Sequence, residues 1–287
     1  LSDIALKLPI AYANLVDHVV TPTQSVADII CERGVKTPIS SIPTGIDADF
    51  FGAGDRSSFR RLHGIAPGHF VIGHLGRLNE EKNLEYLAEV VIEFITRRPD
   101  SRRFLLAGEG DLVAMFKQRF AAQGLADHLI FAGVLHGKAC ADAYAAMDIF
   151  IFTSHSDTQG LVLSEAMAAG KPVFALDATG VRDMVRHDVS GYLLPADATP
   201  SSFSAAIEHI VAHPQRLDAM RCAALQAART VSVTVCTQGM LDLYARLIEQ
   251  KRSLPLGATR WDHWLRQWNV ELELAQEKIG CLLADKY

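Results

Sequence analysis

The chain has 287 residues, 49% of them apolar, which is enough to bury the core of one large domain or one and a half. A formal net charge of −5 and a pI near 6.1 give no basic footprint for nucleic acid. Five scattered cysteines, none in C-x-x-C spacing, fit a reducing compartment and argue against a thiolate metal site, and no apolar run reaches bilayer-spanning length.

In chain order, "VDHVVTPT" reads as a strand, "QSVADIICERG" as a helix stopped by Gly34, and "ISSIPTGID" as a second strand running into a turn. That is one βαβ unit, too little to fold as a domain alone. From residue 70 short apolar runs alternate with helical patterns. The runs are "HFVIGHLG", "RRFLLAGEG", "HLIFAGV", "DIFIFTS", "KPVFAL" and "GYLLP". The clearest helix is "NLEYLAEVVIEFITRR", with Leu84, Leu87, Ala88, Val91, Phe94 and Ile95 on one face. Continuous apolar strands between amphipathic helices indicate an α/β fold with a doubly wound parallel sheet covered on both faces. Helices continue through "TPSSFSAAIEHIVAH", "PQRLDAMRCAALQAART" and "VCTQGMLDLYARLIEQKR". At the far end Trp261, Trp264, Leu265, Trp268, Leu272, Ala275, Ile279 and Leu282 recur at helical spacing, a stripe that reads as packing. The expected divisions are 1–44, 45–250 and 251–287.

Open parallel sheets bind ligands at the carboxyl ends of their strands, where helix amino ends converge. Four turns lie there: "GHLGRLNEEKN", "LAGEGD", "FAGVLHGK" and "TSHSDTQGLV". The last opens the helix "LVLSEAMAAG", whose free N–H groups and dipole favour a phosphate or carboxylate, and Gly160 admits close backbone approach. Arg77 and Lys82 flank the first turn, where two cations suit a departing diphosphate. Taken alone, each motif reads equally as an ordinary strand-to-helix turn, or as a solvated loop whose bases pair with Glu80 and Glu81.

Together, "IPTGID", "LGRLNEEKNL", "LLAGEGD", "IFAGVL", "DTQGLVLSEAMAAGKPVFA", "TGVRDMV" and "SGYLLP" resemble, in order and spacing, the nucleotide-sugar half of the family 4 retaining glycosyltransferases. The resemblance covers about residues 40 to 250. It implies the Rossmann-like C-terminal half of a GT-B fold, with residues 1–44 as the end of an N-terminal acceptor domain and 251–287 as a helical extension. It implies a nucleoside-diphosphate hexose donor, UDP-linked, and transfer with retention to a lipid, glycan or small-molecule hydroxyl, with no metal and no cofactor.

Residue by residue, the resemblance makes Arg77, Lys82 and Asp157 the catalytic set. Arg77 and Lys82 match the pair that stabilises the departing diphosphate. Asp157 and Glu165 match the two acids of the E-x7-E motif, with Asp157 on the donor sugar's hydroxyls and Glu165 on the ribose. Thr158, Gln159, Gly160, Leu161 and Val162 would lie against sugar and phosphate, Gly108 and Val134 against the base, and Gly45 along the same cleft. Two departures stand out: the first acid is Asp rather than Glu, and Thr158-Gln159 replaces the commoner Gly-Phe.

Other signals are weaker. "DAD" at 47–49 is literally D-x-D but follows "PTGI", where a helix-cap or turn role is expected. A glycosidase pair of Asp157 and Glu165 has nothing to raise one pKa across a sugar-filled gap. His74, His136 and His155 lie near the expected cleft without metal-binding spacing. A non-catalytic nucleotide-sugar module and a nucleotide-sugar epimerase using Asp157 and His155 remain as alternatives. A truncated or self-associating half, cytoplasmic or peripheral at the inner membrane face, completes the expectations.

Overall fold

The computed structural model describes residues 9–252 together with Trp268 and Leu272. Its contacts divide the chain into two compact units, Thr44–Val235 and a smaller one that joins the residues up to Pro43 with those from Cys236 onward. In the smaller unit, strand β1 (Val19–Thr21), helix α1 (Gln24–Glu32) and strand β2 (Ile39–Ser41) form the expected βαβ unit, with β1 and β2 parallel from Val19–Ile39 to Thr21–Ser41.

The larger unit opens with two short helices, α2 (Ala48–Gly52) and α3 (Arg56–Leu62). Asp47 caps α2 by accepting from the Phe50 N–H at 2.9 Å, so the D-x-D sequence is a helix start. The chain then alternates: β3 (Phe70–Leu75), α4 (Leu84–Thr96), β4 (Arg102–Ala107), α5 (Val113–Ala122), β5 (Leu129–Gly133), α6 (Lys138–Ala146), β6 (Ile149–Phe152), α7 (Leu161–Ala168), β7 (Val173–Leu176), α8 (Val181–Met184) and β8 (Gly191–Leu194). Helices α9 (Pro200–Val211) and α10 (Pro214–Thr230) follow. The six strands pair in parallel in the order β5-β4-β3-β6-β7-β8, so all six apolar runs form one doubly wound sheet.

Strand alternation sorts the core onto two faces. Val71, Leu75, Leu105, Phe150 and Phe152 pack with residues of α6, α7 and α10, while Ile72, Phe104, Leu106, Ile149 and Ile151 pack with α4, α5 and α9. Each fully buried Leu, Ile or Phe contributes roughly 1.5–3 kcal/mol, so both faces of the sheet contribute to its stability. Helix α4 buries all six residues of its expected face, and Val90 besides.

Strand order reverses between β3 and β6, and this seam is short, with only Ile72–Ile149 and Gly73–Phe150 in register. Side chains extend it at both ends. Asp148 accepts from the Val71 N–H at 2.8 Å, and the His74 Nδ1 lies 3.0 Å from the Ile151 carbonyl. Asp148 is itself held by Arg60 at 2.9 Å and Arg56 at 2.8 Å.

Helix α11 (Val233–Arg252) crosses from the larger unit, which ends at Val235, into the smaller one. From Cys236 on it belongs with the amino-terminal residues: Gly239 lies beside Ile42, and Lys251 pairs with Asp17 at 2.6 Å. The expected tryptophan stripe and the 251–287 extension lie outside the described residues, apart from Lys251, Arg252, Trp268 and Leu272.

Candidate functional site

The loops after β3 and β6 are stitched together at the carboxyl end of the seam. Asn83 adopts a left-handed conformation (φ 54°) between a 3-10 turn, Glu80–Lys82, and α4. Its amide donates to the Thr153 carbonyl at 3.2 Å and to His155 Nε2 at 3.1 Å, while the Thr153 hydroxyl donates back to the Asn83 carbonyl at 3.1 Å. This stitching brings Lys82 Nζ to 3.0 Å from Asp157 Oδ2, with the two side chains only 16% and 19% exposed. The other Asp157 oxygen accepts from the Gly160 N–H at 2.8 Å and the Gln159 N–H at 3.4 Å. Gly160, at φ 66°, supplies the left-handed residue that turns the chain into α7.

Arg77 does not share that pair. It donates to Glu81 at 2.8 Å, with side chains 69% and 49% exposed, an arrangement that contributes little to stability. The solvated-loop reading therefore fits Arg77 as it stands and does not fit Lys82.

Arg77 instead forms part of the wall of a neighbouring cleft of ≈ 260 Å³, lined also by Leu75, Gly76, Ala107, Gly108, Glu109, Val134, Leu135, Cys140, Tyr144, Val162 and Glu165. All four expected strand-end turns contribute here, the last through Val162 in the first turn of α7. Gly108 is required by close approach: a Cβ there would sit 1.8 Å from the Gly76 carbonyl oxygen, at a backbone φ of 134°. Glu165 accepts from the Tyr144 hydroxyl at 2.7 Å. Burial pushes the Glu165 carboxyl above its usual range, and the Tyr144 hydrogen bond opposes that rise. Burial and the neighbouring Glu165 push the Cys140 thiol up to about 11, so it stands there as a thiol rather than a nucleophilic thiolate.

The remaining expected residues take mixed positions. Gln159 is buried and points inward, its amide making two 2.9 Å bonds to the Thr44 backbone, one as acceptor and one as donor. Gly45, next along, packs against the Val233 backbone beside the Ile46–Ser232 bridge and does not line this cleft. Thr158, Leu161 and Val134 are exposed at the rim. His136 is exposed, and His74 is buried with its pKa pushed down to about 4 by burial. Because the Ile151 carbonyl only accepts, His74 carries its proton on Nδ1. Its buried Nε2 has no hydrogen-bond partner among the described residues.

Sequence reasoning missed Tyr144, Asn83 and Thr153. "AYAAM" carries an apolar helical pattern, but no spacing in it points across to Glu165. Asn83 follows Lys82 directly and reads only as a helix start.

The assembled groups comprise a half-buried ammonium, a helix amino end, a cleft floored by glycines and a carboxylate held ready to accept hydrogen bonds. They suit an anionic ligand that also carries hydroxyls. Fold and site define a doubly wound α/β domain with a cleft at its topological switch point, where sheets of this kind bind ligands. The model of the family "Glycosyl transferases group 1" matches residues 55–227, and the chain belongs to that family, with the GT-B architecture.

Its relatives include the "D-inositol 3-phosphate glycosyltransferase" of Segniliparus rotundus, 29% identical over 250 residues that cover 85% of this chain and 55% of that protein. The "GDP-mannose-dependent alpha-mannosyltransferase" of Mycolicibacterium smegmatis is 33% identical over 60% of this chain and 43% of its own. The chain thus spans about half the length of the curated relatives it matches. Among solved structures, Anabaena Alr3699/HepE in complex with UDP and glucose is similar in fold, with a TM-score of 0.76 at 24% identity over 86% of this chain and 68% of that one. The C-terminal domain of a glycosyl transferase group 1 protein (LpcC) from Francisella tularensis is matched over 97% of its length and 65% of this chain, with a TM-score of 0.58 at 22% identity.

Proposed function

We propose that this chain is the donor-binding half of a retaining hexosyltransferase that uses a nucleoside-diphosphate sugar, UDP-linked, without a metal. The observation that carries the reading is the Lys82–Asp157 pair at the amino end of α7, one turn from Glu165 in the adjoining cleft. In this scheme the base lies by Gly108 and Val134, Glu165 accepts from the ribose hydroxyls, and the diphosphate rests at the helix amino end. The bond from sugar C1 to the phosphate oxygen breaks with its electron pair leaving on the diphosphate, whose charge Lys82 and a reoriented Arg77 neutralise. The acceptor oxygen bonds to C1 on the same face, and its proton passes to the departing phosphate. The UDP complex of the Anabaena neighbour favours a uridine donor, while the mannosyltransferase relative keeps GDP sugars in the test panel.

Calorimetric titration of the chain with UDP, GDP and ADP sugars tests the reading. One nucleotide class should bind, and Lys82→Ala should weaken it by about a hundredfold, the loss of a half-buried charge-assisted contact. No binding by any of them, or binding indifferent to Lys82→Ala, refutes it.

A further inference from the structure

The Asp157 carboxylate occupies the place where the proposed donor needs to put its own negative charge. One oxygen lies 3.0 Å from Lys82 Nζ and the other 2.8 Å from the Gly160 N–H. The cation and the helix-end amide that would receive a diphosphate are therefore already paired with a resident anion, in a spot where neither side chain is more than 19% exposed. We propose that Asp157 is a specificity-determining residue that makes the site favour a sugar-bearing nucleotide over the bare nucleoside diphosphate.

The argument rests on the functional reading above and on what happens to the carboxylate once it is displaced. A diphosphate drawn to Lys82 and Gly160 takes both of Asp157's principal partners. With a bare diphosphate, the carboxylate is left beside a second anion with only the long 3.4 Å contact from the Gln159 N–H, and the two charges repel. With a sugar on the terminal phosphate, hydroxyl groups arrive with the ligand and donate to the displaced carboxylate. Donor binding exchanges one set of partners for another, whereas binding of the spent nucleotide takes Asp157's two short contacts and replaces neither. The same asymmetry favours expulsion of the nucleotide once its sugar has gone.

Glu165 does not work this way, because its partner is the neutral Tyr144 hydroxyl and no cation has to be released. Arg77 does not either, since its pair with Glu81 is exposed and the displaced Glu81 would be hydrated.

The test is calorimetric titration of the wild-type chain, Asp157→Asn, Asp157→Ala and Lys82→Met with UDP, GDP and ADP, each as the bare diphosphate and as its hexose conjugate. Asn keeps an oxygen for the Gly160 amide while removing the charge, and circular dichroism checks that each variant is folded. Both Asp157 variants should bind the bare diphosphate about tenfold more tightly, as expected when a competing charge is removed. They should bind the sugar conjugate no more tightly than wild type, and the gain should vanish when Lys82→Met is added. Bare-diphosphate affinity that is unchanged or reduced in both folded variants overturns the proposal, as does a gain that survives without Lys82. A wild-type chain that binds no nucleotide overturns the functional reading and this proposal with it. A wild type that binds, with Asp157 variants that bind no better, overturns this proposal alone.

Discussion

Replacing Lys171 by Met should stabilise the larger unit in neutral and mildly acidic solution and lose that advantage in alkali. Lys171 follows Gly170 between α7 and β7, and its Nζ donates to the Ala145 carbonyl at 3.0 Å, at the carboxyl end of α6. Burial pushes its pKa from 10.5 down to about 7; Arg56, Arg221 and Arg60 lower it further, and the single carboxylate of Asp148 opposes them. A displacement of that size corresponds to roughly 3–5 kcal/mol of preference for the neutral amine. The folded-state value lies below the unfolded one, so between about pH 7 and 10.5 the unfolded chain holds a proton that the folded chain has lost. Stability from this group therefore rises with pH across that window. Below it, both states are protonated and the folded state bears the full cost. Met removes the cost together with the Ala145 hydrogen bond, worth about 1 kcal/mol, leaving a net gain of roughly 2–4 kcal/mol at pH 6. Urea unfolding of both proteins between about pH 6 and 10 would measure it. A stability difference that does not shrink as the pH rises would refute the account of Lys171 as a buried, desolvated amine.

Three further outcomes are expected. Tyr144→Phe removes the hydroxyl that opposes the effect of burial on Glu165, so the carboxyl moves further up. Nucleotide affinity should then fall most on the acid side, moving the binding-versus-pH curve to higher pH; an equal loss at every pH would show that Tyr144 only fills space. Gly108→Ala places a Cβ 1.8 Å from the Gly76 carbonyl oxygen and must drive two walls of the cleft apart. A misplacement of that kind costs on the order of a hundredfold in binding, and unchanged nucleotide affinity in the folded variant would contradict it. Gln159→Leu leaves the Thr44 N–H and carbonyl without their side-chain partners, a loss of about 2–4 kcal/mol by denaturant titration. A loss below about 0.5 kcal/mol would mean that water or another group replaces the amide.

How far the sequence could be read depended on whether a signal was local. The six strands were legible because each is a continuous apolar run closed by a turn, and both faces of the sheet are covered. Helix α4 was legible from its 3.6-residue spacing, and Asp47 from its place just before a helix. The resemblance put Lys82 on the diphosphate and Asp157 on the donor sugar but not on each other; their pairing, 75 residues apart, follows from strands that become neighbours when the order reverses at β3 and β6. Gln159 was expected to offer its backbone to a ligand; that its side chain would reach back to Thr44 has no counterpart in periodicity, since an exposed turn and a buried clamp use the same residue. Tyr144 was hidden because a buried aromatic in an alanine-rich helix reads as packing until the Glu165 carboxylate is placed beside its hydroxyl.

Most joins between strands are made of main chain, which no point mutation can delete. The β3–β6 join is different, because Asp148 and His74 supply interactions at its two ends from their side chains. Substitution at either position can therefore weaken that join while leaving the rest of the sheet's main-chain hydrogen bonding as it is. The two three-stranded leaves of the sheet thus meet along a line whose ends are held by side chains that a single substitution can remove.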